Sequence, residues 1–169
     1  MAEDLYRQLQ QRLNLYSLGF PETPSGVEIE ILKTLFNEED IALFLDMSPK
    51  LEEPTSVAAR IGKPVEETAR RLEDMARRGL LFRLRKIEID KYGAIPFMHG
   101  LVEFQVKRFD HELGELLERY FQEGFYNAIA STEGLFLRTV PVRQSVSLDS
   151  HVAAFEDASR LLQNADIIA

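Results

Sequence analysis

The stretch SVAARIGKPVEETARRLEDMARRGLLFRLRK, from Ser56 to Lys86, determines the fold that we predict for this chain. It contains two segments with apolar residues at helical spacing, and Gly62 separates them. Pro64 suits the first turn of the second helix, and Gly79 suits a left-handed residue at its C-terminal end. Two helices joined by a glycine turn are typical of a helix-turn-helix.

Two β-rich segments follow the second helix. LLFRLRK (residues 80–86) and IEIDKYGAIPF (residues 87–97) alternate apolar and polar residues, which predicts a β-hairpin. A hairpin in this place is the wing of a winged helix-turn-helix. We therefore predict a mainly α (α+β) fold, built as a winged helix-turn-helix with an N-terminal helix and a helical C-terminal extension.

Three segments follow from this pattern along the chain. Residues 1–26 form an N-terminal helix and loop, residues 27–97 the winged helix-turn-helix, and residues 98–169 a mainly helical extension. Within the extension we predict a strand over LFLRTVPV, from Leu135 to Val142, and a last helix over FEDASRLLQNADIIA.

Helix starts are predicted from capping residues. Asn37 and Asp110 each precede a segment with a helical apolar face, and each side chain can accept hydrogen bonds from free backbone amides. By the same argument we expect Thr55 or Ser56 to cap the first helix of the helix-turn-helix.

The composition argues against several classes of protein. There are no cysteines, the three histidines are scattered, and no glycine-rich phosphate loop or nucleophile elbow is present. We therefore expect no enzyme and no metal or cofactor site in this chain. No apolar run approaches the roughly 18 residues of a membrane span, and the N-terminus lacks the pattern of a secretory signal. We expect a cytoplasmic protein without a membrane partner.

Positive charge is concentrated in the predicted winged helix-turn-helix. The chain has a formal net charge of −8, yet residues 56–92 hold ten basic and six acidic residues. A local excess of cations favours an anionic partner, because phosphate neutralisation dominates nucleic-acid affinity. The candidate DNA-binding residues are Arg70, Arg71, Arg83, Arg85 and Lys86.

The helix arginines also have an internal explanation. Each follows an acid by four residues in the order that stabilises a helix, which predicts a helix covered with ion pairs. The predicted pairs are Glu66–Arg70, Glu67–Arg71, Glu73–Arg77 and Asp74–Arg78. The wing cations Arg83, Arg85 and Lys86 have no acid at that spacing, and we expect Arg83 and Arg85 to share one face of the strand.

An aromatic stripe in the C-terminal half has two interpretations. Aromatic residues recur there at helical spacing, and they form either ordinary core or an interface with a partner or a second copy. The candidate interface residues are Phe104, Phe109, Tyr120 and Phe121.

Four stretches together resemble a known family. They are SGVEIEILKTLFNEEDIAL (25–43), VAARIGKPVEETARRLEDMARRGLLFR (57–83), PFMHGLVEFQVKRFDHELGELLERYFQEG (96–124) and AFEDASRLLQNADIIA (154–169). Their order is similar to the N-terminal region of bacterial and archaeal iron–sulfur proteins, which join a winged-helix-like region to a ferredoxin domain with two 4Fe–4S clusters. The resemblance implies that such a domain would follow residue 169. No cluster ligand carries over to this chain.

Two functions remain open at this point. The first is a non-catalytic docking or dimerisation module of a redox protein, with a protein partner or a second copy. The second is a redox-responsive transcription regulator whose winged helix binds duplex DNA. The start of the second helix, KPVEE, lacks the capping Ser, Thr or Asp common in recognition helices, which weakens the DNA interpretation.

Overall fold

The computed structural model describes residues 2–85, residues 89–131 and Gln163. Apart from Gln163, these residues belong to the first of the two units of the chain, Met1–Glu133. This unit is mainly helical and contains a small two-stranded antiparallel sheet, so the predicted fold class is confirmed at this level.

Helices make up most of the unit. The N-terminal ones are α1 (Ala2–Asn14), α2 (Val27–Leu35), α3 (Glu38–Asp46), α4 (Pro54–Ile61) and α5 (Val65–Arg77). The strands β1 (Phe82–Leu84) and β2 (Lys91–Gly93) follow. Next come α6 (Val102–Phe104), α7 (His111–Tyr120) and α8 (Tyr126–Ser131), with π-type turns at Phe97–Leu101 and Phe121–Phe125 and a 3-10 turn at Val106–Arg108.

Two of the predicted helix caps are confirmed. The Asn37 side chain accepts from the Asp40 amide at 2.9 Å, and the Asp40 carboxylate accepts from the Asn37 amide at 3.3 Å. This reciprocal pair satisfies two backbone donors at the start of α3. Likewise the Asp110 side chain accepts from the Leu113 amide at 2.9 Å, and α7 begins at the next residue.

The predicted cap of α4 is wrong. The helix begins at Pro54, and neither Thr55 nor Ser56 caps it, since Glu53 occupies the capping position without a side-chain bond. Proline has no amide to satisfy and its fixed φ suits the first helical residue, so it starts the helix earlier than the hydroxyl residues would. The end of α4 is as predicted, with Gly62 in the left-handed region at φ +67°.

The predicted hairpin is present and short. β1 and β2 pair antiparallel, with Arg83 opposite Tyr92 in the middle of the ladder. Glu52 adds a bridge on the other side of β2, where the backbones of Glu52 and Tyr92 exchange two hydrogen bonds of 2.8 Å. The loop ahead of α4 is therefore tied to the hairpin.

The core joins all parts of the described unit. α1 packs on α2 and α3, α2 packs on α7, and α4 packs on α5. Three aromatic rings meet where the loop after α1 reaches α7: the Phe20 centroid lies 4.0 Å from that of Phe97 and 4.9 Å from that of Tyr120. The Tyr120 hydroxyl donates to the Pro21 carbonyl at 3.3 Å, which fixes this loop.

A buried carboxylate holds the same loop to α2. Glu28 is fully buried, and its oxygens accept from the Thr23 hydroxyl at 2.6 Å and from Arg7 at 3.0 Å. A buried charge needs such partners because burial alone would strongly disfavour it.

Parts of the sequence prediction fall beyond these residues. The predicted strand from Leu135 to Val142 lies outside the described residues, as does the predicted last helix apart from Gln163. The division of the chain after residues 26 and 97 stays a prediction.

Candidate functional site

The candidate cation Arg71 and its neighbour Arg78, at the end of α5, point toward α3 instead of away from the protein. Asp40 is 1% exposed, and Arg78 donates a hydrogen bond of 2.9 Å to one of its carboxylate oxygens and lies 2.8 Å from the other. Arg71 lies 3.6 Å from the same carboxylate and also pairs with Glu39. The hydrogen bond with Asp40 is the main reason that the pKa of Arg78 is raised above its usual value. These contacts join α5 to the start of α3.

The predicted ion pairs within α5 form only in part. Among the described residues, Asp74–Arg78 is the one predicted pair that forms, at 2.9 Å. Glu67 pairs instead with Lys63, at 3.5 Å, and Glu73 pairs with an arginine of the wing. Spacing within one helix therefore does not account for the arrangement of these charges.

The outer face of α5 is mixed in charge. Arg70 and Arg77 are exposed, and neither makes an ion pair within residues 2–85 and 89–131. Glu66, Glu67 and Asp74 are exposed on the same helix. A face with this many acids does not present the continuous positive potential that a phosphate backbone attracts.

Arg83, the central candidate cation of the wing, is held by α5. Its guanidinium donates to the Glu73 carboxylate, which also accepts from the Tyr92 hydroxyl at 3.1 Å. The Arg83 hydrogen bond lowers the pKa of Glu73, while burial, followed by the bond to Glu73, raises the pKa of Tyr92 to about 12. Local spacing offers Arg83 no acidic partner, and the packing of β1 on α5 supplies one, Glu73, from ten positions earlier in the chain.

The other two wing cations differ from Arg83. The Arg85 side chain is 68% exposed, and its Nε lies 3.7 Å from the Asp90 carboxylate. Lys86 lies outside the described residues. Arg83 and Arg85 therefore do not form one free positive face.

The four candidate interface residues fall into two environments. Tyr120 is fully buried among the aromatic core rings, and Phe121 is partly buried beside Tyr120 and Phe125. Tyr120 is therefore a core residue and is not available to a partner. Phe104 and Phe109 are 44% and 50% exposed.

An exposed aromatic pair joins β1 to α6. The Phe104 ring stacks on Phe82, with centroids 6.4 Å apart, and Phe82 is itself 41% exposed. The 3-10 turn that follows adds an exposed valine and two exposed cations. We call this set the aromatic turn surface, and its residues are Phe82, Phe104, Val106, Lys107 and Arg108. Sequence analysis missed Phe82 because it lies 22 positions from its partner.

The aromatic turn surface is held firmly against the end of α5. Gln105 is 3% exposed, and its amide donates to the carbonyls of Arg78 and Gly79 at 3.1 and 3.4 Å. Gly79 has φ +75°, as predicted, and a Cβ atom there would lie 2.8 Å from the Phe104 Cβ. Only glycine allows both this conformation and this close approach.

The cations of the surface are not neutralised by the acids next to them in sequence. Lys107 and Arg108 make no ion pair in the part of the chain that the structure describes. The flanking carboxylates bind backbone amides: Glu103 accepts from His99 and Gly100 at 3.0 and 2.7 Å, and Asp110 caps α7.

Phe109 belongs to a different surface. It lines a groove along α7 together with several acidic side chains. The ideal Cβ position of Gly114 lies 3.2 Å from its ring, so Phe109 lies over α7. We therefore leave Phe109 out of the aromatic turn surface.

Comparison with known proteins adds no relative. No protein-family model matches the chain, and no curated protein matches it.

Across the described ranges 2–85 and 89–131, no three acidic, histidine or cysteine side chains group in a way that could hold a metal ion. No helix in those ranges is both long and apolar enough to cross a membrane.

We expect Asp40→Ala to destabilise the fold by about 3 kcal/mol, because it leaves the Arg78 guanidinium without its buried partner. Urea denaturation followed by circular dichroism measures the change. Glu39→Ala is the matched control, since its carboxylate also pairs with Arg71 but its side chain is 77% exposed. It should cost less than about 1 kcal/mol. Equal losses in the two variants would contradict the role given to Asp40.

We expect the stability contributed by Glu73 to depend on pH. Its folded pKa is lowered from the usual 4.5, so the contribution is present above pH 4.5 and is lost as the pH falls through the lowered value. Wild type should therefore exceed Glu73→Gln by about 1 kcal/mol at pH 7, and the gap should close under acidic conditions. Urea denaturation across this pH range gives the gap. The difference in stability between wild type and Arg83→Gln should close under acidic conditions in the same way. A difference that does not change with pH would contradict the pairing of Glu73 with Arg83.

Proposed function

We propose that residues 27–97 form a winged helix-turn-helix. The element order α3, a bridge at Glu52, α4, α5, β1 and β2 supports this, because the bridge adds backbone pairing beside the two-stranded hairpin. Gly62 and Pro64 provide the turn between the two helices.

We propose further that the described unit, which also contains α6 and the 3-10 turn, is a non-catalytic docking module that binds protein. The observation that carries this function is the exposed Phe82–Phe104 pair, held in place by buried Gln105. Aromatic side chains that are already fixed in position lose little conformational entropy on binding, and such residues anchor many protein interfaces. Gly79 supports the same interpretation, since its lack of a side chain lets the aromatic turn approach the helix end.

The arrangement of arginines favours docking over DNA binding. Arg71 and Arg78 are engaged with α3, and Arg83 is engaged with Glu73. These three arginines therefore stabilise the fold, and fewer cations of this segment are available to neutralise phosphates.

The resemblance of the sequence to the N-terminal region of iron–sulfur proteins supports a redox context. In this proposal the module positions a ferredoxin-type domain against its partner in the cytoplasm. Iron–sulfur clusters are held by cysteine thiolates, and this chain contains no cysteine, so no residue here fits a cluster.

Photo-crosslinking tests the docking function. A benzoylphenylalanine placed at Phe104 in the natural host cell should give one discrete adduct with a redox protein, because this ring lies at the proposed interface. The matched control is the same probe at Leu15, which is 79% exposed elsewhere in the unit. Leu15 should give no discrete adduct. Gel mobility and mass spectrometry identify the products.

Two outcomes would contradict docking at this surface. One is the absence of any discrete adduct from position 104. The other is the same set of adducts from positions 104 and 15. An adduct with a second copy of the chain would identify the partner as the protein itself.

A second candidate function is binding to duplex DNA, and one observation favours it. Arg70 and Arg77 are exposed on α5 without an ion pair in the described ranges, and Arg85 is exposed at the wing. Arg70 and Arg77 can contact phosphates if the helix enters the major groove, and Arg85 can do so if it leaves Asp90.

Fluorescence anisotropy with a labelled duplex tests this candidate. If DNA is bound, Arg70→Ala with Arg77→Ala should weaken binding and reduce the slope of log affinity against log salt by about 2. Arg83→Ala is the control and should have a smaller effect, because its guanidinium is engaged with Glu73. No binding at low salt would exclude this candidate for the chain.

A further inference from the structure

We propose that the partner of the aromatic turn surface is an acidic protein segment that carries an apolar anchor. This inference rests on the docking function and names the chemistry of its partner. The anchor would pack against the Phe82–Phe104 pair, and carboxylates beside it would meet Lys107 and Arg108.

The charge of the surface contrasts with that of the protein. The chain has a net charge of −8, but the only charged residues in the Val106–Arg108 turn are two exposed cations. Arg77 is a further exposed cation, in the last turn of α5, and Gln105 is hydrogen-bonded to this end of the helix. Complementary charge at the rim of an interface speeds association and selects the partner. An acidic segment is therefore favoured over a basic or neutral one.

The same charges disfavour a second copy bound through this surface. In a two-fold symmetric dimer the same patch faces itself, so the interface would hold two copies of both Lys107 and Arg108. Like charges brought together in this way are costly. The occupant must differ in charge from the surface that it covers.

The extent of the positive charge disfavours a long polyanion. The cations are confined to one short turn and the end of α5, while exposed acids occupy the nearby helix α7. A nucleic-acid strand or an anionic membrane would extend over those acids and be repelled by them. A short acidic segment can contact the cations without reaching α7. Glu112, Glu115 and Glu118 are the exposed acids of α7.

Nuclear magnetic resonance titration of the whole ¹⁵N-labelled chain tests this partner chemistry. The probe is a synthetic helical peptide with glutamates on one face and phenylalanine and leucine on the other. It should shift the amide signals of Phe82, Phe104 and Lys107, and added salt should weaken the effect. The control peptide has lysine in place of every glutamate and should leave these signals unchanged.

Charge reversal supplies the matched variants. Lys107→Glu with Arg108→Glu should weaken binding of the acidic peptide about tenfold. Lys33→Glu with Lys50→Glu makes the same change in net charge at exposed positions elsewhere, and it should leave the affinity nearly unchanged. Equal effects of the two double variants would overturn the proposal.

Other outcomes separate this inference from the docking function. The acidic-partner proposal is overturned if the acidic peptide does not shift these signals, if the lysine peptide binds as well, or if only duplex DNA or anionic phosphatidylglycerol vesicles shift them. Docking itself fails if the crosslinker at position 104 gives no discrete adduct, or the same adducts as the crosslinker at position 15. If the position 104 adduct still forms in the Lys107→Glu, Arg108→Glu variant, the docking function stands and the acidic partner is rejected.

Discussion

The buried carboxylate of Asp40 is the constraint on which the described unit depends. It completes the cap of α3 with Asn37, and it accepts a hydrogen bond from Arg78, which lies 38 positions later in the chain. One side chain therefore accepts a hydrogen bond from a backbone amide at the start of α3 and also determines where the end of α5 packs. A buried carboxylate is tolerated only when such partners surround it.

This constraint changes the meaning of the positive charge near the wing. A basic segment in an acidic chain is typical of a nucleic-acid-binding surface when charges are counted along the sequence. In the folded unit Arg71 and Arg78 turn toward α3, and Arg83 turns toward Glu73. The exposed features that remain are scattered cations on α5 and the aromatic turn surface. Of these, the aromatic turn surface is fixed by Gln105 and Gly79, which is why docking is the function we propose.

Local rules predicted much of this structure. Capping by Asn37 and Asp110, the left-handed Gly79 and the β-hairpin each depend on neighbouring residues, and each is confirmed. Rules of local spacing could not find the ion pairs that join different elements, such as Arg78 with Asp40 and Arg83 with Glu73. Helical spacing also could not say that Tyr120 lies inside the core while Phe104 lies outside it. The face that a helix buries depends on which elements pack against it, and that information is not local.

Side-chain nuclear magnetic resonance of the arginine guanidinium groups measures most directly whether these arginines belong to the interior of the fold. The Nη–H signals of Arg78 and Arg83 should exchange slowly with water, and they should not move when salt or duplex DNA is added, because the Nη atoms of both groups are bound to carboxylates. Arg70 and Arg77 provide the internal reference and should exchange fast. Fast exchange of the Arg78 and Arg83 signals, or shifts of both on adding DNA, would contradict the assignment of these arginines to the fold.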